Sequence, residues 1–411
     1  MKPETTRFAA ALLGLGFVFG LSIPRFSVLA LLLCAGMVLL RPFRLPRVWR
    51  LTVPLLLGFT FLHEGISVYY GYREPSVLIM HPLLFLAAYF LGLGLPTVEP
   101  FRDGRCVMRF FMMVALGMAT FALLGAALKP IRIEGADLLR KAPSFWDSSL
   151  TLNGTVYGLY ASVGMVLLPL AMFRGRKLLN LGPWDGLLAG GAGLVGLAAN
   201  LLFQNRSPLL ALAAALAWVA GTLLFRPSEH GRARRAQTAA RLGLLSATIL
   251  GIGLAYREQL MLALFRFQSV GLGTNGRSEA WGRMLTHFFD QPFGGRQQNL
   301  AGLSYAHNLW LDVTNDSGLL SVVVLNLLLG VHVVYLARAI RRSGGVDRLA
   351  MVVLFISSMV GAALEPLLIG SPSHFALMLM VLGWMVNLGS PAAEPLDEGA
   401  WAPAERRLTL G

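Results

Sequence analysis

The chain has 411 residues, is 55% hydrophobic and only 14% charged, and has a mean hydropathy of +0.63. That is more apolar than filling one soluble core requires, so a soluble domain is excluded and a polytopic membrane protein is indicated. The formal charge of +14 raises nucleic acid as a partner, but no aromatic-interleaved basic patch accompanies it.

About twelve apolar runs approach the roughly 20 residues that span a hydrocarbon core. In chain order they cover 8–24, 26–40, 51–70, 77–95, 110–128, 155–173, 186–203, 209–225, 242–256, 319–337, 349–369 and 374–389. Threading these runs alternately puts 23 of the 35 basic residues on one side and 12 on the other. The positive-inside bias therefore places both termini in the cytoplasm. The first run has the length of a signal peptide, but another span follows at once, so an uncleaved first helix is expected. The two cysteines, Cys34 in a span and Cys106 in a cytoplasmic loop, offer neither a disulfide framework nor a thiolate metal site. GAGLVG at Gly191–Gly196 matches part of a dinucleotide fingerprint but lies mid-span with no strand before it. Close helix approach through small residues is the better reading.

Three connections are long. The cytoplasmic segment RPSEHGRARRAQTAAR and the tail after Ser390 read as basic linker and disordered end. The smaller outer loop, Lys129 to Gly154, holds an amphipathic DLLRK turn and a Phe-Trp pair suited to the interface. The larger outer loop, 257–318, carries most of the unexplained polar residues. In it, SEAWGRMLTHFF puts Trp281, Met284, Leu285 and Phe288 on one helical face, predicting a short helix on the bilayer surface with Arg277 at its amino end. Helix amino ends favour anions, and an arginine there adds a planar fork for phosphate oxygens. A turn-forming PFGGRQQ follows. Next, Asn308 is placed to cap a second short helix with Leu309, Trp310 and Val313 on its apolar side, and His307 stands at its start. Asp316 and Ser317 are natural caps for the next span. Arg206, in QNRSPLL, stands at the outer lip of the membrane, with Ser207 and Pro208 opening the eighth span. Two guanidiniums and an imidazole at the lipid boundary suit a diphosphate whose chain lies in the bilayer.

These residues resemble the bacterial O-antigen ligase and polymerase superfamily of membrane glycosyltransferases. The likeness rests on His307-Asn308-x-x-Leu311 with Asp316 and Gly318, on Arg277-x-x-x-Trp281 followed by Pro292, Gly294 and Gly295, and on Arg206-x-x-x-Leu210. Asp316 stands where Glu is commoner and Ser321 where a second Gly is usual, and Asp316 is assigned no catalytic duty. One dominant outer loop resembles a ligase more than a polymerase.

The resemblance implies an all-α fold of about 12 transmembrane helices, similar to GT-C type glycosyltransferases, with short amphipathic helices in a large periplasmic loop. It implies transfer of polysaccharide from undecaprenyl diphosphate to a lipid A-core sugar hydroxyl at the periplasmic face of the inner membrane, with inversion. Arg206 and Arg277 would stabilise the departing diphosphate. His307 would serve either as general base or as an imidazolium phosphate ligand. No Asp-x-Asp pair or carboxylate cluster is spaced for magnesium or manganese, so no metal or other cofactor is expected. Lys129, Arg132, Arg140 and Lys141 fit either acceptor phosphates or the membrane surface, and Asn308 joins the binding set. The rivals are a polymerase with the same donor and a lipid-linked sugar transporter. A transporter would show mid-bilayer ionisable groups and two matched halves. No such repeat is visible, and His63, His81, Asn200, Glu64 and Glu365 read as scattered packing or interface groups.

Overall fold

A computed structural model describes residues 3–41, 45–128, 132–134, 139–173, 181–203, 205–225, 277–290, 292–296, 305–342 and 345–390. Its helices are α1 (Pro3–Gly20), α2 (Phe26–Leu39), α3 (Trp49–Tyr69), α4 (Val77–Gly94), α5 (Arg105–Leu128), α6 (Gly154–Met165), α7 (Leu168–Met172), α8 (Pro183–Phe203), α9 (Ser207–Phe225), α10 (Arg277–Thr286), α11 (Leu309–Arg342), α12 (Val346–Leu364), α13 (Leu367–Gly370) and α14 (Pro372–Gly389). Among the described residues, eight helical segments are long and apolar enough to cross a membrane, and α2 and α9 are shorter apolar helices. The protein is therefore a predominantly helical, polytopic membrane protein. The ninth expected span, 242–256, lies outside the described residues.

The bundle is built around α14, whose buried residues face in all directions as those of a helix apolar all round do, and α5, which is buried except along one strip. Trp384 of α14 stacks on Phe111 of α5 with ring centroids 4.8 Å apart. Small residues set the closest crossings. A side chain at Gly196 of α8 would strike the Ala161 carbonyl of α6, and one at Gly193 would strike Leu168, so the GAGLVG segment is a helix-packing face.

Two expectations are corrected. The described part of the DLLRK turn in the smaller outer loop, Leu139 to Lys141, is strand: Leu139–Pro143 is the middle strand, β2, of an antiparallel sheet with β1 (Arg132–Glu134) and β3 (Thr151–Asn153). Backbone groups in a loop this long need partners, and a three-stranded ladder supplies them within the loop. The Phe-Trp pair packs edge to face at 4.7 Å, and Trp146 Nε1 donates to the Leu21 carbonyl, pinning the sheet to the turn after α1. The apolar face of α10, in turn, is largely covered by protein. Ala280 and Met284 are buried against Ala306 and Leu311, with Trp281 and Phe288 packed around them. Only Leu285 of the expected stripe is left outside, 63% exposed.

The helix α11 is broken at Gly318, where φ is 83° and ψ −179°. That region of backbone space is essentially open to glycine alone. The space is also closed, since a Cβ at Gly318 would run into the Pro292 carbonyl and a Cβ at Gly294 would meet the Ser317 nitrogen. Gly318→Ala is therefore expected to destabilise the protein by at least about 1–3 kcal/mol through backbone strain alone. Thermal unfolding in detergent checks this; an unchanged midpoint would contradict the docking of the Pro292 turn onto the break.

Candidate functional site

The break in α11 and the end of α12 together build a polar cluster at one end of the bundle. α12 stops at Leu364 because Glu365 is extended and Pro366 follows it. The last carbonyls of a helix have no partner within it and carry its partial negative charge. Two side chains from the large loop use them: Arg277 Nη1 donates to the Leu364 carbonyl at 2.8 Å, and Asn308 Nδ2 donates to the Ala363 carbonyl at 3.0 Å.

The second terminal nitrogen of Arg277 lies 3.3 Å from His307 Nδ1 and 3.5 Å from Glu365 Oε2. His307 Nδ1 is 3.6 Å from the same Glu365 oxygen. The other oxygen, Oε1, accepts a hydrogen bond from Ser207 Oγ at 2.9 Å. Glu365 is buried, while Arg277 and His307 keep 24% and 17% of their side-chain surface exposed. The cluster is thus a buried carboxylate holding two accessible nitrogenous groups.

Arg206 directly precedes Ser207, and its carbonyl accepts from Leu209 and Leu210 at the start of α9. Its main chain therefore lies beside the Glu365 anchor. Its neighbour Asn205 donates through Nδ2 to the Gly154 carbonyl just after β3, which joins the small sheet to the same end of the bundle. Within that sheet Arg132 pairs in register with Lys141 and Ile133 with Arg140. Lys129 lies outside the described residues.

His307 is held from several directions. Its backbone is left-handed, φ 56°, a conformation histidine adopts more readily than most residues but at some cost. The buried Asp312 fixes this bend, its Oδ1 accepting from the Ala306 amide at 2.6 Å and its Oδ2 from the Asn308 amide at 3.2 Å. Asn308 Oδ1 caps α11, accepting from the amides of Trp310 and Leu311. Trp281 Nε1 donates to the Ala306 carbonyl at 2.6 Å, tying α10 to the same bend.

Asp316 and Ser317 do not cap the following span. Asp316 is buried and accepts from Arg296 Nε at 2.8 Å and Nη2 at 3.4 Å. Arg296 lies 4.3 Å above the Tyr72 ring. Burial opposes the charge on Arg296, but pairing with Asp316 outweighs it and leaves the guanidinium pKa raised. Ser317 Oγ donates to the Val313 carbonyl and lies 2.9 Å from His63 Nδ1 of α3. This is a latch: the PFGGR turn closes on the break in α11 because an arginine and an aspartate on its two sides pair.

Sequence reasoning missed Glu365 as a member of the cluster. The available signal was an acidic residue immediately before proline at the outer end of an apolar run. It also missed that Glu64, buried in α3, accepts from His81 Nδ1 at 2.7 Å and pairs with Arg73 at 3.3 Å, so these residues are not scattered. No family model matches this chain, and a search of curated proteins returns no matching relative.

Proposed function

We propose that this protein is an O-antigen ligase: a metal-independent, inverting glycosyltransferase of about twelve spans and GT-C-like architecture. In this reading both termini are cytoplasmic and the cluster faces the periplasm from the inner membrane. It transfers polysaccharide from undecaprenyl diphosphate to a sugar hydroxyl of lipid A core. The observation that carries the reading is that Arg277, His307 and the Ser207 next to Arg206, from three separate segments whose motifs resemble that superfamily, meet at one buried carboxylate, Glu365, from a fourth.

The chemistry follows from the groups present. The acceptor oxygen attacks the anomeric carbon, the bond to the diphosphate oxygen breaks, and its electron pair leaves with the diphosphate. Negative charge grows on the departing oxygens, and cations fixed beforehand stabilise that charge more than they stabilise the bound donor. Arg277 is fixed by the Leu364 carbonyl and Glu365, and Arg206 by its place at the start of α9. His307 takes the acceptor's proton. Glu365 orients the imidazole and balances the positive charge it gains, as a buried carboxylate does behind a catalytic histidine. Arg132, Arg140 and Lys141, with Lys129, are the groups for acceptor phosphates.

Purified protein mixed with undecaprenyl-diphosphate glycan and lipid A core in EDTA, without ATP, is expected to produce a lipopolysaccharide ladder. Loss of the ladder in EDTA and its return with magnesium would sink metal independence. Lengthening of the lipid-linked glycan without a ladder would make the protein a polymerase. Movement of the donor across vesicle bilayers with neither product would make it a transporter.

A further inference from the structure

At the opposite end of the bundle from this cluster lies a cleft of about 370 Å³, lined by Leu13, Arg109, Met113, Leu116, Trp184 and Gly191 among others. The helix α5 packs against both α1 and α8 and lies between them. Arg109, Met113 and Leu116 recur at helical spacing, so they form one strip of α5 and the floor of the cleft. Leu13 of α1 stands on one wall, and Trp184, Leu187 and Leu188 of α8 on the other. A side chain added at Gly191 would meet nothing within 4 Å, so the missing Cβ is part of what keeps the cleft open.

The cleft has a polar head and an apolar body. At its head Arg109 Nε donates to Asp185 Oδ1 at 2.5 Å and Nη2 to Oδ2 at 3.3 Å. Asp185 is buried, yet Arg109 keeps 39% of its side-chain surface exposed. Arg105, exposed, lies one turn earlier on the same helix. From Arg109 to Leu116 the floor runs about 10 Å along the helix, and apart from the pair at its head the lining is apolar. Trp184, 76% exposed at the mouth, is the residue type that settles at a membrane–water boundary.

We infer that this cleft binds one glycerophospholipid with an anionic headgroup, its phosphate on the outward face of Arg109 and Arg105 and an acyl chain along Met113, Leu116 and Leu188. Asp185 holds the guanidinium flat at the head of the cleft, and basic pockets between helices at the cytoplasmic boundary are suited to such headgroups. The site is separate from the transfer chemistry and does not depend on it.

The test is native mass spectrometry of the delipidated, full-length protein titrated with palmitoyl-oleoyl phosphatidylglycerol or the matching phosphatidylethanolamine. The first phosphatidylglycerol is expected to bind about fivefold more tightly, the effect of roughly one basic contact near the membrane surface. Gly191→Leu, whose side chain enters open space, is expected to weaken that first binding event for both lipids. The double variant R109Q/D185N removes both charges together, so neither is left buried alone, and is expected to erase the preference for phosphatidylglycerol. Equal binding of the two lipids by the wild type would overturn the headgroup assignment. Unchanged binding in Gly191→Leu would mean that the lipid is annular and the cleft is not its site.

Discussion

Arg277→Ala is expected to lower ligation by about a hundredfold or more, the usual cost of removing one preorganised donor to a developing anion. Its guanidinium reaches three groups at once: the Leu364 carbonyl, His307 and Glu365. A planar fork can do this while still presenting an edge to phosphate oxygens, whereas an ammonium is a point charge on a flexible stem. Arg277→Lys is therefore expected to stay within a fewfold of the alanine variant. The same lipopolysaccharide ladder assay, run as initial rates, checks both. Thermal unfolding must accompany it, because Arg277 also ties α10 to the end of α12. A folded Arg277→Lys that turns over at the wild-type rate would show that charge alone suffices and would reject the fork.

Much of the fold was legible because spans are set by length and apolarity, and those are written locally. Asn308 as a cap and GAGLVG as a packing face were equally local, each following from one residue type at one spacing. Glu365 was not legible, since its importance comes from Ser207, Arg277 and His307, three residues distant in sequence, converging on it. The same holds for Glu64, whose partners Arg73 and His81 come from the next loop and helix. The stripe on α10 misled for a related reason. An amphipathic helix has an apolar face whether bilayer or protein covers it, and only the position of Ala306 and Leu311 decides between them. Asp316 looked like a cap because aspartate before an apolar run commonly is one, and the competing partner, Arg296, lies across a turn whose closure the sequence does not specify.

His307 and Glu365 act as a unit in the proposed mechanism, and their variants distinguish the two roles open to the imidazole. His307→Ala is expected to cost roughly 10²- to 10⁴-fold in turnover, the range for a positioned general base, with binding of the lipid-linked donor little changed. Glu365→Gln preserves the shape and an oxygen to accept from Ser207 but removes the charge facing His307 and Arg277. A base that loses its orienting carboxylate is weakened even when it stays in place, so Glu365→Gln is expected to lower turnover by about tenfold or more, and less than His307→Ala. Combining the two should cost less than the two separate losses added as free energies, because residues working as one unit are not additive, and any loss beyond that of His307→Ala alone measures what Glu365 contributes through Arg277. If His307→Ala instead abolishes donor binding and leaves the turnover of bound donor intact, the imidazole is a phosphate ligand. Additive losses in the double variant would show that Glu365 works through Arg277 and not through His307.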